Sequence, residues 1–244
     1  MTFKLLNLTV DRDPFKEFDR IKRLYYRNKN INFSFIYNDD IDYNFIADKE
    51  DIMYRIGIPV NYKNFLNTSL ASAEPGIPMM LQKFLAEIKK PEYLKYDYVI
   101  RTNSSSFINI DKLKELLDSQ VIPPNAYAGF HYQCNTFPNI PSFISGTFII
   151  ISRNVIEVLR NIVIPDNILY QCDDVALGIL IETMCDGIPY NIPMHFCDLN
   201  ALSLENTREM VKNNIILRIK DGTLERNNPN DLNIWQNIHQ IVNN

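Results

Sequence analysis

Apolar positions along the chain alternate between two spacings, which predict strands and amphipathic helices in turn. Residues 3–10 and 31–37 carry short apolar runs and are predicted strands. Between them a helix is predicted to begin at Asp13-Pro14, because proline suits the first turn of a helix. Its apolar positions recur at helical spacing and are Phe15, Phe18, Ile21 and Leu24. The N-terminal part of the chain therefore predicts a strand, a helix and a second strand.

The same alternation continues through the rest of the chain. Predicted helices cover residues 77–89, 110–117, 153–161, 173–184 and 231–242, and predicted strands cover 96–100, 126–131 and 142–152. The stretch from Gly187 to the closing helix is predicted to be strand and loop. No internal repeat or linker interrupts the pattern. Alternation of this kind indicates one α/β domain over residues 1–244, with a mostly parallel central sheet in three layers.

Composition restricts the partners and the compartment. With 244 residues, 46% of them hydrophobic, the chain is long enough to bury one large core. A net charge of -4 argues against bulk electrostatic attraction to nucleic acid or to an anionic membrane, so neither partner is expected. No apolar run approaches the roughly 20 residues that span a bilayer, and no secretory pattern is present. A cytoplasmic protein without a membrane span is therefore expected.

The commonest α/β chemistries are missing from the sequence. No glycine-rich phosphate loop and no Gly-x-Ser-x-Gly elbow is present. The four cysteines lack zinc-site spacing, so reduced and mostly buried thiols are expected; they are Cys134, Cys172, Cys185 and Cys197.

Four polar groups stand beside predicted strand ends, which is where open α/β sheets bind ligands. They are Asn38-Asp39-Asp40, Thr102 to Ser106, Ser145-Gly146-Thr147 and Cys172-Asp173-Asp174. Three segments around them, residues 101–109, 143–152 and 173–178, occur in an order and at a spacing that resemble the nucleotide-sugar glycosyltransferases of the GT-A fold. In the β-1,3-galactosyltransferase-like branch these segments read Lys-Thr-Asp-Asp-Asp-Val-Phe-Val-Asn, Tyr-Cys-Ser-Gly-Gly-Gly-Tyr-Val-Leu-Ser and Glu-Asp-Val-x-x-Gly. Residues 62–66 also resemble a Tyr-x-Asn-Leu-Thr stretch of that branch.

The resemblance implies a three-layer, Rossmann-like GT-A fold and a transferase activity. A sugar would move from a nucleotide-sugar donor, a UDP-sugar, to a hydroxyl group of a glycan or another acceptor, with inversion at the anomeric carbon. By the same resemblance Asp174 takes the place of the base that accepts the acceptor's proton. Asp173 and Arg101 are expected at the donor site.

The first segment departs from the family at its acids. In the family the second and third acids lie on or near a divalent cation, Mn2+ or Mg2+, that bridges the donor's diphosphate. Here Asn103, Ser104 and Ser105 stand in the triplet, and neutral oxygens are poorer ligands for hard cations. We expect these residues to line the donor site without a tightly held metal.

A departing diphosphate still needs its charge balanced, and cationic side chains can do this where no metal does. Arg218 and Lys220 have the spacing of one strand face, and Arg226 follows. They are the predicted diphosphate ligands, and a solvated basic strand is the alternative. Asp39 is expected to bond the nucleoside, with an Asn/Asp-rich turn as the equal alternative.

Two further alternatives stay open at this point. Asp173 and Asp174 are equally the type of residue that caps a helix N-terminus, and His195 stands where some GT-A enzymes hold a metal but also fits a core position. The whole chain also fits a second class, a degenerate GT-A-like module that binds a nucleotide or carbohydrate without catalysis.

Overall fold

The computed structural model describes residues 1–9, 14–38, 51–54, 80–132, 142–163, 173–197, 203–220 and 229–243. The strands in this part of the chain are β1 Phe3–Leu8, β2 Asn32–Asn38, β3 Asp51–Tyr54, β4 Tyr98–Asn103, β5 Ser106–Ile108, β6 Ala126–Tyr132, β7 Phe143–Ser152, β8 Ile188–Asn191, β9 His195–Phe196 and β10 Ile216–Arg218. The helices are α1 Phe15–Asn28, α2 Met80–Ile88, α3 Ile110–Asp118, α4 Arg153–Leu159, α5 Asp173–Met184, α6 Leu204–Asn213 and α7 Pro229–Asn243.

The central sheet has seven strands in the order β3-β2-β1-β4-β7-β6-β8. Its neighbours are parallel except at β7, which runs antiparallel to both β4 and β6. The predicted mostly parallel α/β sheet is confirmed. A second, three-stranded sheet has the order β5-β10-β9 and joins segments that are far apart in the sequence.

Apolar side chains fill both faces of the central sheet. On one face α1 packs through Phe18, Ile21 and Tyr25, and Phe18 stacks on Trp235 of α7 with ring centroids 5.2 Å apart. The other face is covered by α2, α4 and α5 through residues such as Phe84 and Leu180. Helices on both faces produce the expected three layers.

Several predicted boundaries and one element need correction. Helix α6 lies in a stretch that was predicted to be strand and loop. Strand β4 continues to Asn103, three residues beyond the predicted end, because its pairing with β1 extends to that residue. Strand β10 ends at Arg218, so Lys220 follows the strand and is not part of it.

Other predictions fall outside the described residues, namely those on Asp39, Asp40, the 62–66 stretch, Arg226, Cys134 and Cys172. Within the described part of the chain Cys197 is buried, Cys185 is half-buried, and both are free thiols. No helix in that part combines the length and the apolar character needed to cross a membrane.

Candidate active site

The candidate site lies at the edge of the central sheet where β1 and β4 end. These strands run side by side, with Leu8 opposite Asn103. The antiparallel strand β7 begins at the same edge, and the N-terminus of α5 lies against it through contacts of Asp174 with Gly146. The edge thus gathers the second, third and fourth polar groups of the sequence.

Asn103 is the centre of one half of the site. Its Oδ1 accepts hydrogen bonds from Arg218 Nη1 at 2.8 Å and from the Ser106 hydroxyl at 2.8 Å, and the Ser105 hydroxyl lies at 3.3 Å. We call Asn103, Ser105, Ser106 and Arg218 the Asn103 cluster. Here a cationic side chain lies beside a neutral amide and two hydroxyl groups.

Pairing of β5 with β10 brings Arg218 to this cluster. The two strands are antiparallel, with Arg218 opposite Ser106. The amide of Ile219 then donates to the Ser105 carbonyl at 2.9 Å, which extends the pairing past the strand end. Lys220 follows in the half-buried stretch beyond β10.

Asp173 and Asp174, the acidic pair, form the other half of the site. Arg101 is 2% exposed, and its Nη2 contacts Asp173 Oδ2. Each oxygen of Asp174 accepts a backbone amide at 3.1 Å, Oδ1 from Val175 and Oδ2 from Gly146. The two carboxylates are therefore held in fixed and different orientations.

Gly146 occupies the narrow space above the acidic pair. A Cβ at this position would lie 3.0 Å from Arg101 Nη2 and 3.3 Å from the Asp174 Cβ, both shorter than ordinary contacts. A larger residue here would push against Arg101 and Asp174, so glycine fits this position because of crowding.

Arg101 is a poorly solvated cation. Burial lowers its pKa to about 10, and the neighbouring Asp174 partly offsets that effect. Its Nε and Nη1 are buried and make no hydrogen bond to the residues that the structure describes. The guanidinium is therefore directed at the acidic pair.

A buried polar network supports the Asn103 cluster from below. The Lys22 ammonium donates to the Asn103 carbonyl at 2.6 Å and to Asn7 Oδ1 at 2.8 Å. Asp19 accepts from Asn7 and Thr9, and the Ser104 hydroxyl donates to Thr9 at 2.6 Å. Ser104 therefore reaches the site through its backbone, because its hydroxyl is used inside the network.

Burial acts on the ionisation of this network. Loss of water raises the pKa of Asp19 and lowers that of Lys22, and the attraction between the two groups offsets both shifts only in part. Sequence analysis missed both residues. The signal was available, since Asp19 and Lys22 are charged residues three apart that directly follow the apolar positions Phe18 and Ile21 of α1.

The described residues around Asn103 do not suit the divalent cation that the resemblance implies. Asn103 Oδ1 already accepts from the positive Arg218 guanidinium. Among the described residues no group of three or more His, Cys, Asp or Glu side chains is placed to hold a metal ion. His195 is half-buried in β9, paired with Leu217 of β10.

Comparison with known proteins gives structural matches. No protein-family model matches the chain, and no curated protein matches its sequence. A glycosyltransferase involved in glycosylation of the major capsid of PBCV-1 superposes with a TM-score of 0.51 at 10% identity, covering 97% of this chain and 100% of that one. The galactosyltransferase LgtC, solved with donor and acceptor sugar analogues, superposes with a TM-score of 0.51 at 10% identity, covering 98% and 96%. At this identity the likeness concerns the fold, and the fold of this chain is that of the GT-A-like glycosyltransferases.

Proposed function

We propose that the protein is a glycosyltransferase that moves a sugar from a UDP-sugar to a hydroxyl acceptor with inversion. The observation that carries the proposal is the juxtaposition of the Asn103 cluster and the acidic pair. Strand β4 links the two halves, because Asn103 belongs to the cluster and Arg101, two residues earlier on the same strand, contacts Asp173. Such a transfer needs a cation that stabilises the leaving group and a carboxylate that takes the proton of the attacking hydroxyl.

In this proposal the donor diphosphate lies over the Asn103 cluster. Arg218 and Lys220 balance its charge, and the amide and hydroxyls of Asn103, Ser105 and Ser106 supply hydrogen bonds. The Ser104 backbone lines the same corner, and Asp39 bonds the nucleoside. A fixed guanidinium offers several N–H donors to phosphate oxygens, so the diphosphate is held without a divalent cation.

Asp174 acts as the base. Its oxygens each accept one backbone amide and keep further lone pairs, so the carboxylate is oriented and can still accept the acceptor's hydroxyl proton. As that oxygen forms its bond to the anomeric carbon, the bond from the anomeric carbon to the diphosphate oxygen breaks. UDP departs with the electron pair, and a single displacement inverts the configuration.

A second function is favoured by one observation, the neutral residues at the acid positions. A protein that kept the fold and lost catalysis would bind a nucleotide or carbohydrate at the same corner. Such a protein would transfer no sugar, and changing Asp174 would remove no activity.

Calorimetry with UDP and UDP-sugars, in Mn2+ and in EDTA, tests the donor site. We expect UDP to bind equally in both buffers. Arg218→Met should weaken it by about 10- to 100-fold, the value of a charge-assisted hydrogen bond. Arg208→Met is the matched control, because Arg208 pairs with Glu205 on the exposed surface of α6. Binding that requires Mn2+, or that ignores Arg218, would overturn the metal-free donor site.

A further inference from the structure

An aromatic pair lies beside the site and has no role in the proposed donor binding. Phe130 of β6 and Phe196 of β9 meet edge to face, with ring centroids 5.7 Å apart and planes at 83°. Phe196 is nevertheless 55% exposed, while Phe130 is half-buried. An exposed phenyl ring that is held by a second ring is an ordered apolar surface facing solvent.

Phe196 is tied to the Asn103 cluster. Strands β9 and β10 are parallel, with Phe196 opposite Arg218, and the amide after Phe196 donates to the Arg218 carbonyl at 3.0 Å. Arg218 in turn donates to Asn103. One strand spacing, about 4.8 Å, therefore separates the backbone of the exposed ring from that of the proposed diphosphate ligand.

Phe130 is tied to the acidic pair. The register of β6 with β7 breaks between Gly129, opposite Ile149, and His131, opposite Ile144. The single residue Phe130 thus faces the bulged segment 145–148, which contains the Gly146 amide that holds Asp174. The two rings therefore come from strand positions that neighbour the segment holding Asp174 and the strand carrying Arg218.

The position of the ring pair favours an acceptor sugar. In the central sheet β1 and β2, beside which the nucleoside is expected, lie on one side of β4. Strands β7 and β6 lie on the other side. A hydroxyl that gives its proton to Asp174 must approach from near β7. The exposed ring of Phe196 is a flat apolar surface, and it matches the C–H face of a pyranose ring.

We infer that Phe196, supported by Phe130, is the stacking platform of an acceptor subsite for a pyranose ring. The inference rests on the proposed function for its position relative to the base. The ring of Phe196 contacts the C–H face of the sugar and directs one hydroxyl toward Asp174. Substitution of the exposed ring should alter acceptor affinity and leave the fold intact, because Phe196 contributes little buried area.

Ligand-observed NMR with methyl pyranosides, in the presence of UDP, tests the subsite without turnover. Phe196→Ala should weaken the bound pyranoside by about tenfold, as expected for loss of an aromatic contact, and Phe196→Tyr should keep most of the affinity. UDP affinity should not change in either variant. Val121→Ala is the control, because Val121 is an exposed apolar residue, 49% accessible, outside the site.

Four results would overturn the subsite. The first is no pyranoside binding by the wild type, and the second is pyranoside binding that ignores Phe196. The third is an equal loss of UDP affinity in Phe196→Ala. The fourth is a dimer of the wild type in light scattering that Phe196→Ala converts to a monomer. The last two would assign the rings to a nucleobase or to a second copy of the chain. Pyranoside binding through Phe196 without any sugar transfer would keep the subsite and reject the enzyme. Sugar transfer with an unchanged acceptor KM in Phe196→Ala would do the reverse.

Discussion

Replacing Arg101 by methionine should leave the protein as stable as the wild type, or more stable, while transfer falls. The substitution keeps an unbranched apolar stem and removes a cation that is 2% exposed. Arg101 contacts Asp173, whose side chain is 35% exposed, so water can solvate the carboxylate after the change. The usual penalty for an orphaned buried charge is therefore small here.

The magnitude follows from the pKa of Arg101. An ordinary arginine has a pKa of about 12.5, and burial lowers this one to about 10. That difference is worth roughly 3 kcal/mol against the charged form in the folded protein. Because the folded pKa is the lower one, the penalty is complete at neutral pH and disappears only as the pH rises from about 10 to about 12.5. Subtracting about 1–2 kcal/mol for lost packing leaves a gain of about 1–2 kcal/mol.

Urea unfolding followed by Trp235 fluorescence measures this balance, since Trp235 is the single tryptophan and is fully buried. Arg153→Met is the control, because both side chains of the Arg153–Asp97 ion pair are exposed. The pair should contribute at most about 1 kcal/mol to the free energy of unfolding. Transfer by Arg101→Met should fall at least about tenfold as Asp173 loses its fixed position. A stability loss of about 2 kcal/mol or more would refute the reasoning, and so would unchanged transfer.

Three other changes test the surroundings of the site. Gly146→Ala should lower kcat about tenfold with a small change in Tm, because its Cβ crowds Arg101; steady-state kinetics and calorimetry check both, and an unchanged kcat would contradict the crowding. Lys22→Met should cost about 3–5 kcal/mol of unfolding free energy by leaving Asp19 buried without its cation. Adding Asp19→Asn should recover much of that loss in urea titrations, and purely additive losses would reject the coupling. Burial raises the pKa of Cys197 to about 12, so iodoacetamide at pH 8 should alkylate it only after unfolding, as mass spectrometry will show; labelling of the native thiol would contradict this.

The local sequence pattern predicts those helices and strands that contain many apolar residues at regular spacing. The predicted helix over 173–184 matches α5 residue for residue, because two acids begin it and a continuous apolar run follows. Helix α6 was missed since only Thr207 and Val211 among its ten residues are buried. Its start has a recognisable cap, the Ser203 side chain accepting the Asn206 amide at 3.2 Å, but its apolar face is too narrow to read.

The sequence predicted most residues of the candidate site but not the contacts between them. Segment order placed Asn103 and the acidic pair at one sheet edge. The contact between Asn103 and Arg218 joins residues 115 apart and depends on the pairing of two three-residue strands. The contact between Arg101 and Asp173 requires a buried charge on a central strand, which local pattern disfavours. The apolar and polar pattern of the sequence does not show which distant strands pair or which charged residues are buried.

The central claim is that Asp174 is the base of a sugar transfer, and the most direct measurement compares two matched variants. Asp174 and Asp111 are each the second residue of a helix, but Asp111 pairs with Lys29 on the exposed surface. In an assay of sugar transfer from a UDP-sugar, Asp174→Asn should lose about 100-fold or more in kcat while calorimetry shows nearly unchanged UDP affinity. Asp111→Asn should behave as the wild type. Full turnover by Asp174→Asn would contradict the account, as would a loss of the same size in both variants.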